Sequence, residues 1–151
     1  MTGIVIARLS STMAKNVDEL QVYQKALAVA AEISAIIQRP SFNRDMRLRE
    51  QLGSSSERVA SLMSEGSEQS TDRHFAEYCY RSKGSARETR TQLIVAAQRG
   101  HITETERIPL DAKYEEIGKM LSGLIDHLEA SDWKHRRPSP PRKRRGQRRA
   151  T

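Results

Sequence analysis

The chain has 151 residues, is 36% hydrophobic and 30% charged, and carries a formal net charge of +7. That length fits one domain with one core. No run approaches the roughly 18 apolar residues of a membrane span, and a single cysteine, Cys79, excludes an intrachain disulfide and points to a reducing, cytoplasmic compartment.

Residues 1–17 hold Ile4-Val5-Ile6-Ala7 but no long apolar core, so they are read as a flexible N-terminal extension and not as a signal peptide. The first helix is expected from Asp18, with Asp18 as N-cap and Gln21 in the capping-box position, to a stop at Pro40. Its apolar residues cover about 220° of the helical wheel, where one core-facing stripe needs little more than about 100°. The surplus is read as a subunit interface formed by Val22, Val29, Ile33 and Ile36, the alternative being loose patterning rich in small alanines.

The second helix is expected over about Asn43 to Ser64. Leu48, Leu52, Ser55, Val59 and Leu62 alternate in steps of four and three, a bundle seam. Gly66 is the expected left-handed residue after it, followed by a polar loop over Ser67–Thr71. The third helix is expected from Thr71 or Asp72 to Arg99, ended by Gly100. Its face includes Phe75, Tyr78, Ser82, Thr89 and Leu93, and Gly84-Ser85-Ala86 predict a close helix approach.

Thr103-Glu104-Thr105-Glu106 reads as a capping box for the fourth helix. Pro109 predicts a kink or restart, and a seam of Leu110, Tyr114, Ile117, Leu121, Leu124 and Leu128 runs to about Ala130. No segment alternates with period two. The fold class is therefore all-α: an antiparallel up-down-up-down four-helix bundle over residues 18–131.

Residues 132–151 form the strongest signal. From Lys134 to Thr151 there are nine basic residues and no acidic one: Lys134, Arg136, Arg137, Arg142, Lys143, Arg144, Arg145, Arg148 and Arg149. Subtracting nine from +7 leaves −2 for residues 1–133. A segment this charged, with three prolines and no apolar side chain larger than Ala150, is expected to be a disordered basic tail. Its natural ligand is a polyanion, RNA or DNA first. An acidic protein is the alternative partner, which would make the chain an interaction scaffold.

On the body, Lys83, Arg87 and Arg90 share one helix face, flanked by Arg81, and Arg47 and Arg58 are nearly in line. Such a stripe suits phosphates, and equally suits a solvated face with salt bridges. Glu65 and Glu88 are read as hydrogen-bonding anchors between helices. His74, His101, His127 and His135 show no metal-ligand spacing, Cys79 has no nearby histidine in sequence, and Gly-rich phosphate loops are absent. No catalytic residue, metal or cofactor is assigned. Trp133 stands where the fourth helix meets the tail, to cap the bundle or stack on a base.

Several segments carry a family resemblance. They are Glu19-Leu20-Gln21-Val22-Tyr23-Gln24-Lys25-Ala26, Gln51-Leu52, Ser64-Glu65-Gly66, Phe75-Ala76-Glu77-Tyr78, Gly84-Ser85-Ala86-Arg87-Glu88-Thr89 and Glu116-Ile117-Gly118-Lys119-Met120-Leu121-Ser122-Gly123-Leu124-Ile125. In this order the chain resembles the four-helix-bundle proteins encoded by intervening sequences of bacterial 23S ribosomal RNA genes. Members of that intervening-sequence family resemble the accessory variability determinant of diversity-generating retroelements. Thr89 stands where that family usually has Leu. The resemblance implies a homopentamer, nucleic-acid binding without catalysis and, in the retroelement branch, docking onto a reverse transcriptase.

Overall fold

The computed structural model describes residues 17–135, with side chains as far as residue 132. A 3-10 turn, Val17–Glu19, leads into α1, Gln21–Ile36, and a second such turn, Pro40–Arg44, leads into α2, Met46–Ser67. Helices α3, Asp72–Gln98, and α4, Glu104–His135, complete the fold. There is no strand among the described residues. Each helix packs on two others, α1 and α3 both lying against α2 and α4. Cross-helix bonds run antiparallel: Lys25 to Glu116 and Lys113 to Glu32 join α1 and α4, while Ser55 to Gln92 and Ser82 to the Val59 carbonyl join α2 and α3. The expected four-helix bundle is therefore the fold.

Helix α1 begins later than expected. Leu20, not Asp18, is the N-cap, with extended backbone and no side-chain cap bond. Burial decides the start: Leu20 sits in the core and draws the chain into the bundle there. Gln24 Nε2 donates to the Asp18 carbonyl, so the preceding turn is still tied to the helix.

The wide apolar face of α1 is also reassigned. Val22, Val29 and Ile33 are 5%, 2% and 0% exposed within the chain itself, and Ile36 packs against the same core. These four residues do not form a free second edge. The helix rests between α2 and α4, so both flanks are covered by its own chain, and two neighbours account for the surplus arc. The large apolar residue that α1 turns outward is Leu27, 47% exposed, with Ala28, Ala31 and Ala35 exposed as well.

Asn43 belongs to the turn before α2, because Phe42 is fully buried and anchors Pro40–Arg44 as a plug. Its ring stacks on His101 at 4.2 Å between centroids. At the other end, α2 continues through Gly66 to Ser67. Gly66 is not left-handed; Gly100, at φ 80°, holds the positive φ among the described residues. The reason lies across the interface. A Cβ on Gly66 would meet Tyr78 Cβ at 2.6 Å and Phe75 Cδ2 at 3.1 Å. Glycine is needed there because α3 crosses so close, not to end α2. Gly84 itself faces outward, with nothing within 4 Å of a built Cβ, while Ser85 and Ala86 beside it are buried and Ser82 reaches the Val59 carbonyl of α2.

The starts of α3 and α4 and the end of α3 follow the sequence. Thr71 Oγ1 accepts from the His74 N–H at 3.2 Å and caps α3. The His101 N–H donates to Ala96 and the Gly100 N–H to Ala97, a Schellman closure around left-handed Gly100. Glu106 N–H donates to Thr103 Oγ1 at 3.2 Å while Thr103 N–H donates to Glu106 Oε1 at 3.0 Å, the reciprocal capping box. Helix α4 then runs unbroken through Pro109 to His135, beyond the expected end at Ala130. Pro109 lies on the exposed face near the start, where Thr105, whose carbonyl loses its helical donor, is open to water.

Candidate nucleic-acid interface

The body presents cations in three conditions: committed to carboxylates, committed to rings or amides, and unpaired. Arg90 is in the first. It donates from Nε to Asp111 Oδ1 at 2.8 Å and from Nη2 to Asp111 Oδ2 at 3.2 Å, with Glu115 at 3.9 Å. The bidentate bond holds the Asp111 carboxyl below its ordinary range and raises Arg90, so the guanidinium stays charged while bridging α3 to α4. Arg58 likewise donates to Glu88 at 2.8 Å, across α2 and α3. Glu88 also accepts from Gln92 and is the interhelical anchor expected of it; Glu65 is exposed on the surface of α2.

Arg81 lies over the Tyr78 ring at 5.2 Å, and Arg49 donates to the Gln38 amide oxygen. Lys83 and Arg87 remain exposed with no ion pair among the described residues, one turn apart on α3. Arg47 is similarly exposed at the start of α2, beside Arg44 in the preceding turn. Arg44 is a cation the sequence reading passed over. The spacing Arg44, Arg47, Arg49 was its only signal. The stripe on α3 is thus narrower than predicted, Lys83 with Arg87, because Arg90 turns sideways to Asp111.

The tail residues Arg136, Arg137, Arg142, Lys143, Arg144, Arg145, Arg148 and Arg149 lie outside the described residues. Lys134 falls in the last turn of α4, as do Trp133 and His135, and their side chains lie outside them too.

The three histidines with described side chains, His74, His101 and His127, lie within the scaffold. His101 Nδ1 meets Ser41 Oγ and Nε2 meets Asp45 Oδ2, each at 2.9 Å. Asp45 also accepts both bonds from Arg99 Nη1, and these donors hold its carboxyl below the ordinary range. The chain from Ser41 through His101 to Asp45 joins the α1–α2 turn to the α3–α4 turn across about sixty positions of sequence, so no local spacing could reveal it. His74 closes on Thr71, and His127 buries Nε2 without a partner. No group of three His, Cys, Asp or Glu side chains that could hold a metal occurs among the described residues. Cys79 is fully buried and its thiol is pushed up to about 12 by that burial. No helix among the described residues is long and apolar enough to cross a membrane.

Between α2 and α3 lies a polar seam with no surface role. Ser55 Oγ donates to Gln92 Oε1 at 2.8 Å, Thr89 Oγ1 bonds to Ser55 Oγ and to the Ser85 carbonyl at 2.9 Å each, and Ser82 donates to the Val59 carbonyl at 2.6 Å. All four side chains are buried and each has a partner, which is what burying a hydroxyl or amide requires.

Comparison with curated proteins and with solved structures gives no significant match. A family model does match, over residues 18–123, which take in α1, α2, α3 and most of α4; its description is 23S rRNA-intervening sequence protein. The match covers most of the chain and ends before the basic tail, so the chain belongs to the 23S rRNA-intervening sequence protein family.

Proposed function

We propose that this protein is a non-enzymatic, cytoplasmic accessory protein that binds RNA or DNA through its basic tail and assembles as a homopentamer. The observation that carries the reading is charge segregation: nine basic residues lie in residues 134–151, while the rest of the chain sums to −2. Nonspecific affinity for nucleic acid comes from phosphate neutralisation and counterion release, and a run of Lys and Arg supplies that without folding. Lys83 and Arg87 add a second, weaker contact on α3. The family description, with its rRNA context, puts RNA first among the ligands to test. The family resemblance read in the sequence is the ground for the ring of five and, in its retroelement branch, for a reverse transcriptase as the partner that would supply chemistry.

The subunit contact is assigned to Leu27, whose exposed side chain lines an open groove of about 410 Å³ with Tyr23, Ala30 and Ala60. Leu27→Glu leaves the core intact and should dissociate the pentamer in light scattering; a monomeric parent protein refutes the assembly. Binding is tested by fluorescence anisotropy on random RNA and DNA, comparing the full chain with one ending at His135. If about six phosphates are neutralised, log K should fall against log salt with a slope of about −4 on single strands and about −5 on duplex. Undiminished affinity in the shortened chain moves the site to Lys83 and Arg87. Absence of binding by both forms at low salt, with capture of an acidic protein instead, replaces the proposal with the scaffold.

A further inference from the structure

A closed ring of more than two identical copies cannot be built from one patch meeting itself. Its contact joins two different surfaces of the chain, one docking on the other from copy to copy. The groove of Tyr23, Leu27, Ala30 and Ala60 on the α1–α2 edge supplies one of them. Its rim carries Glu57 and Glu65, exposed carboxylates with no ion pair among the described residues. Exposed Ala31 and Ala35 extend the apolar surface along α1.

The complementary surface follows from what else is apolar and exposed. Among the described residues, the other large apolar side chains open to solvent are Met46, Tyr80, Ile94 and Ile108. Met46 starts α2, one of the groove's own helices, and the Tyr80 hydroxyl is hydrogen-bonded to Glu129. Ile94 and Ile108 are 43% and 58% exposed. Each lies one turn toward the α3–α4 connection from the Arg90–Asp111 bond that ties the two helices, so the pair shares one end of the α3–α4 edge. Arg87 borders them. It is exposed on α3 without an ion pair among the described residues, and its charge acts on the Asp111 carboxyl from a distance, which places it on the α4 side. Because α1 and α3 both lie against α2 and α4, the α3–α4 edge is opposite the α1–α2 edge. One copy can therefore offer both edges at once.

We propose that a second copy of this chain seats its α3–α4 edge, with Ile94, Ile108 and Arg87, on the α1–α2 edge, and that Arg87 pairs with Glu57 of the neighbouring copy. The inference rests on the proposed function, which assigns Leu27 to a subunit contact. Height along the bundle sets the register. Copies related by a ring axis parallel to the helices stand at one height, so residues at equal levels meet. Ser82 is bonded to Val59 and Ser55 to Gln92; Arg87 is midway from 82 to 92 as Glu57 is midway from 55 to 59, so the two stand level. Ile108 falls between Glu106, bonded to Arg39, and Lys113, bonded to Glu32, which puts it level with the last turn of α1 and exposed Ala35. Branched side chains thus meet small ones, and a cation meets a carboxylate. The contact covers two isoleucines that face solvent in the single chain. It withdraws Arg87 from phosphates in the assembled protein and leaves Lys83 to them.

The test compares the full chain with Leu27→Glu, Ile94→Glu and Ile108→Glu by sedimentation velocity without nucleic acid. All three positions are exposed, and circular dichroism checks that each variant keeps the parent's helix content. The parent should assemble, and each variant should lose the ring. An equal mixture of Leu27→Glu and Ile108→Glu is the diagnostic sample. The first keeps an intact α3–α4 edge and the second an intact α1–α2 edge, so together they should form a one-to-one heterodimer that neither forms alone. A mixture that stays monomeric overturns the inference. Arg87→Glu should raise the concentration needed for assembly at least about tenfold, since it sets like charges opposite each other. Glu57→Arg added to the same chain should restore assembly, and absence of rescue overturns the pairing. A monomeric parent overturns the proposed assembly and this inference together. A parent that assembles, with Ile94→Glu and Ile108→Glu assembling as it does, overturns this inference alone.

Discussion

Gly66 offers the sharpest test of how the bundle is packed. Replacing it with alanine in a helix interior would ordinarily stabilise, by about 1 kcal/mol, because glycine is the poorer helix former. Here the added methyl would sit 2.6 Å from Tyr78 Cβ, 3.1 Å from Phe75 Cδ2 and 3.2 Å from Tyr78 Cγ. A Cβ is fixed to its backbone and cannot swing away, so relief requires α2 and α3 to part, loosening a seam of bonded hydroxyls. Overpacking of this kind costs typically about 1–3 kcal/mol, and the upper part of that range applies when the obstacle is main-chain-bound. The net expectation for Gly66→Ala is a loss of about 1–2 kcal/mol, or roughly 3–8 °C in Tm for a chain of this size. Gly84→Ala is the control: an exposed glycine in the middle of α3 with nothing within 4 Å of the added methyl, and an expected gain of about 0.5–1 kcal/mol. Both are measured by circular dichroism during thermal and urea unfolding at one fixed protein concentration, since assembly makes Tm concentration-dependent. Gly66→Ala matching Gly84→Ala in sign would refute the close-crossing argument.

The polar seam predicts coupling: Thr89→Leu should cost about 1–3 kcal/mol alone, and a double-mutant cycle with Ser55→Ala should depart from additivity by about 0.5 kcal/mol or more, since the two hydroxyls are bonded. Additive losses in urea unfolding would mean that the seam acts as separate contacts. Cys79, with its thiol held up at about 12, should resist iodoacetamide in the native protein at mildly alkaline pH and react fully in denaturant; stoichiometric native labelling, read by mass spectrometry, contradicts its burial. Glu106, bonded first by Arg39 and then by Thr103, is held down at about 2. Its folded pKa lies below the unfolded value, so its contribution is present above the ordinary glutamate range and is lost as pH falls from there toward about 2. Arg39→Met should flatten the acid side of the stability–pH profile, and an unchanged profile in acid titrations followed by circular dichroism counts against the assignment.

Much of the fold was legible because it depends on local chemistry. Thr71, Thr103 with Glu106, and Gly100 act within a few residues of themselves, and each does in space what its position in sequence suggests. The seam over Leu48, Leu52, Val59 and Leu62 is buried as its spacing requires. Errors arose where a second element decides. Gly66 and Gly100 look alike in sequence, each following an amphipathic run. One is left-handed and one helical, and the difference is the Tyr78 side chain on a neighbouring helix. Asp18 is a good cap by type, but Leu20 is buried two residues later and fixes where α1 can start.

The surface was harder to read than the core, for a reason of the same kind. A helical wheel gives the direction of a side chain but not what stands opposite it. Lys83, Arg87 and Arg90 share one face of α3, yet Arg90 is the one hydrogen-bonded to a carboxylate of α4, and that partner removes it from the phosphate stripe. Val22, Val29 and Ile33 spread beyond one stripe, and the wheel cannot distinguish a second subunit from a second neighbour within the chain; the burial of all three favours the neighbour. Charge that needs no folded partner to act is different. The basic run from Arg142 to Arg149 has its meaning in its own composition, since phosphate neutralisation needs number and density of cations and no fixed geometry. The part of this protein least dependent on the bundle is therefore the part whose chemistry the sequence states most directly.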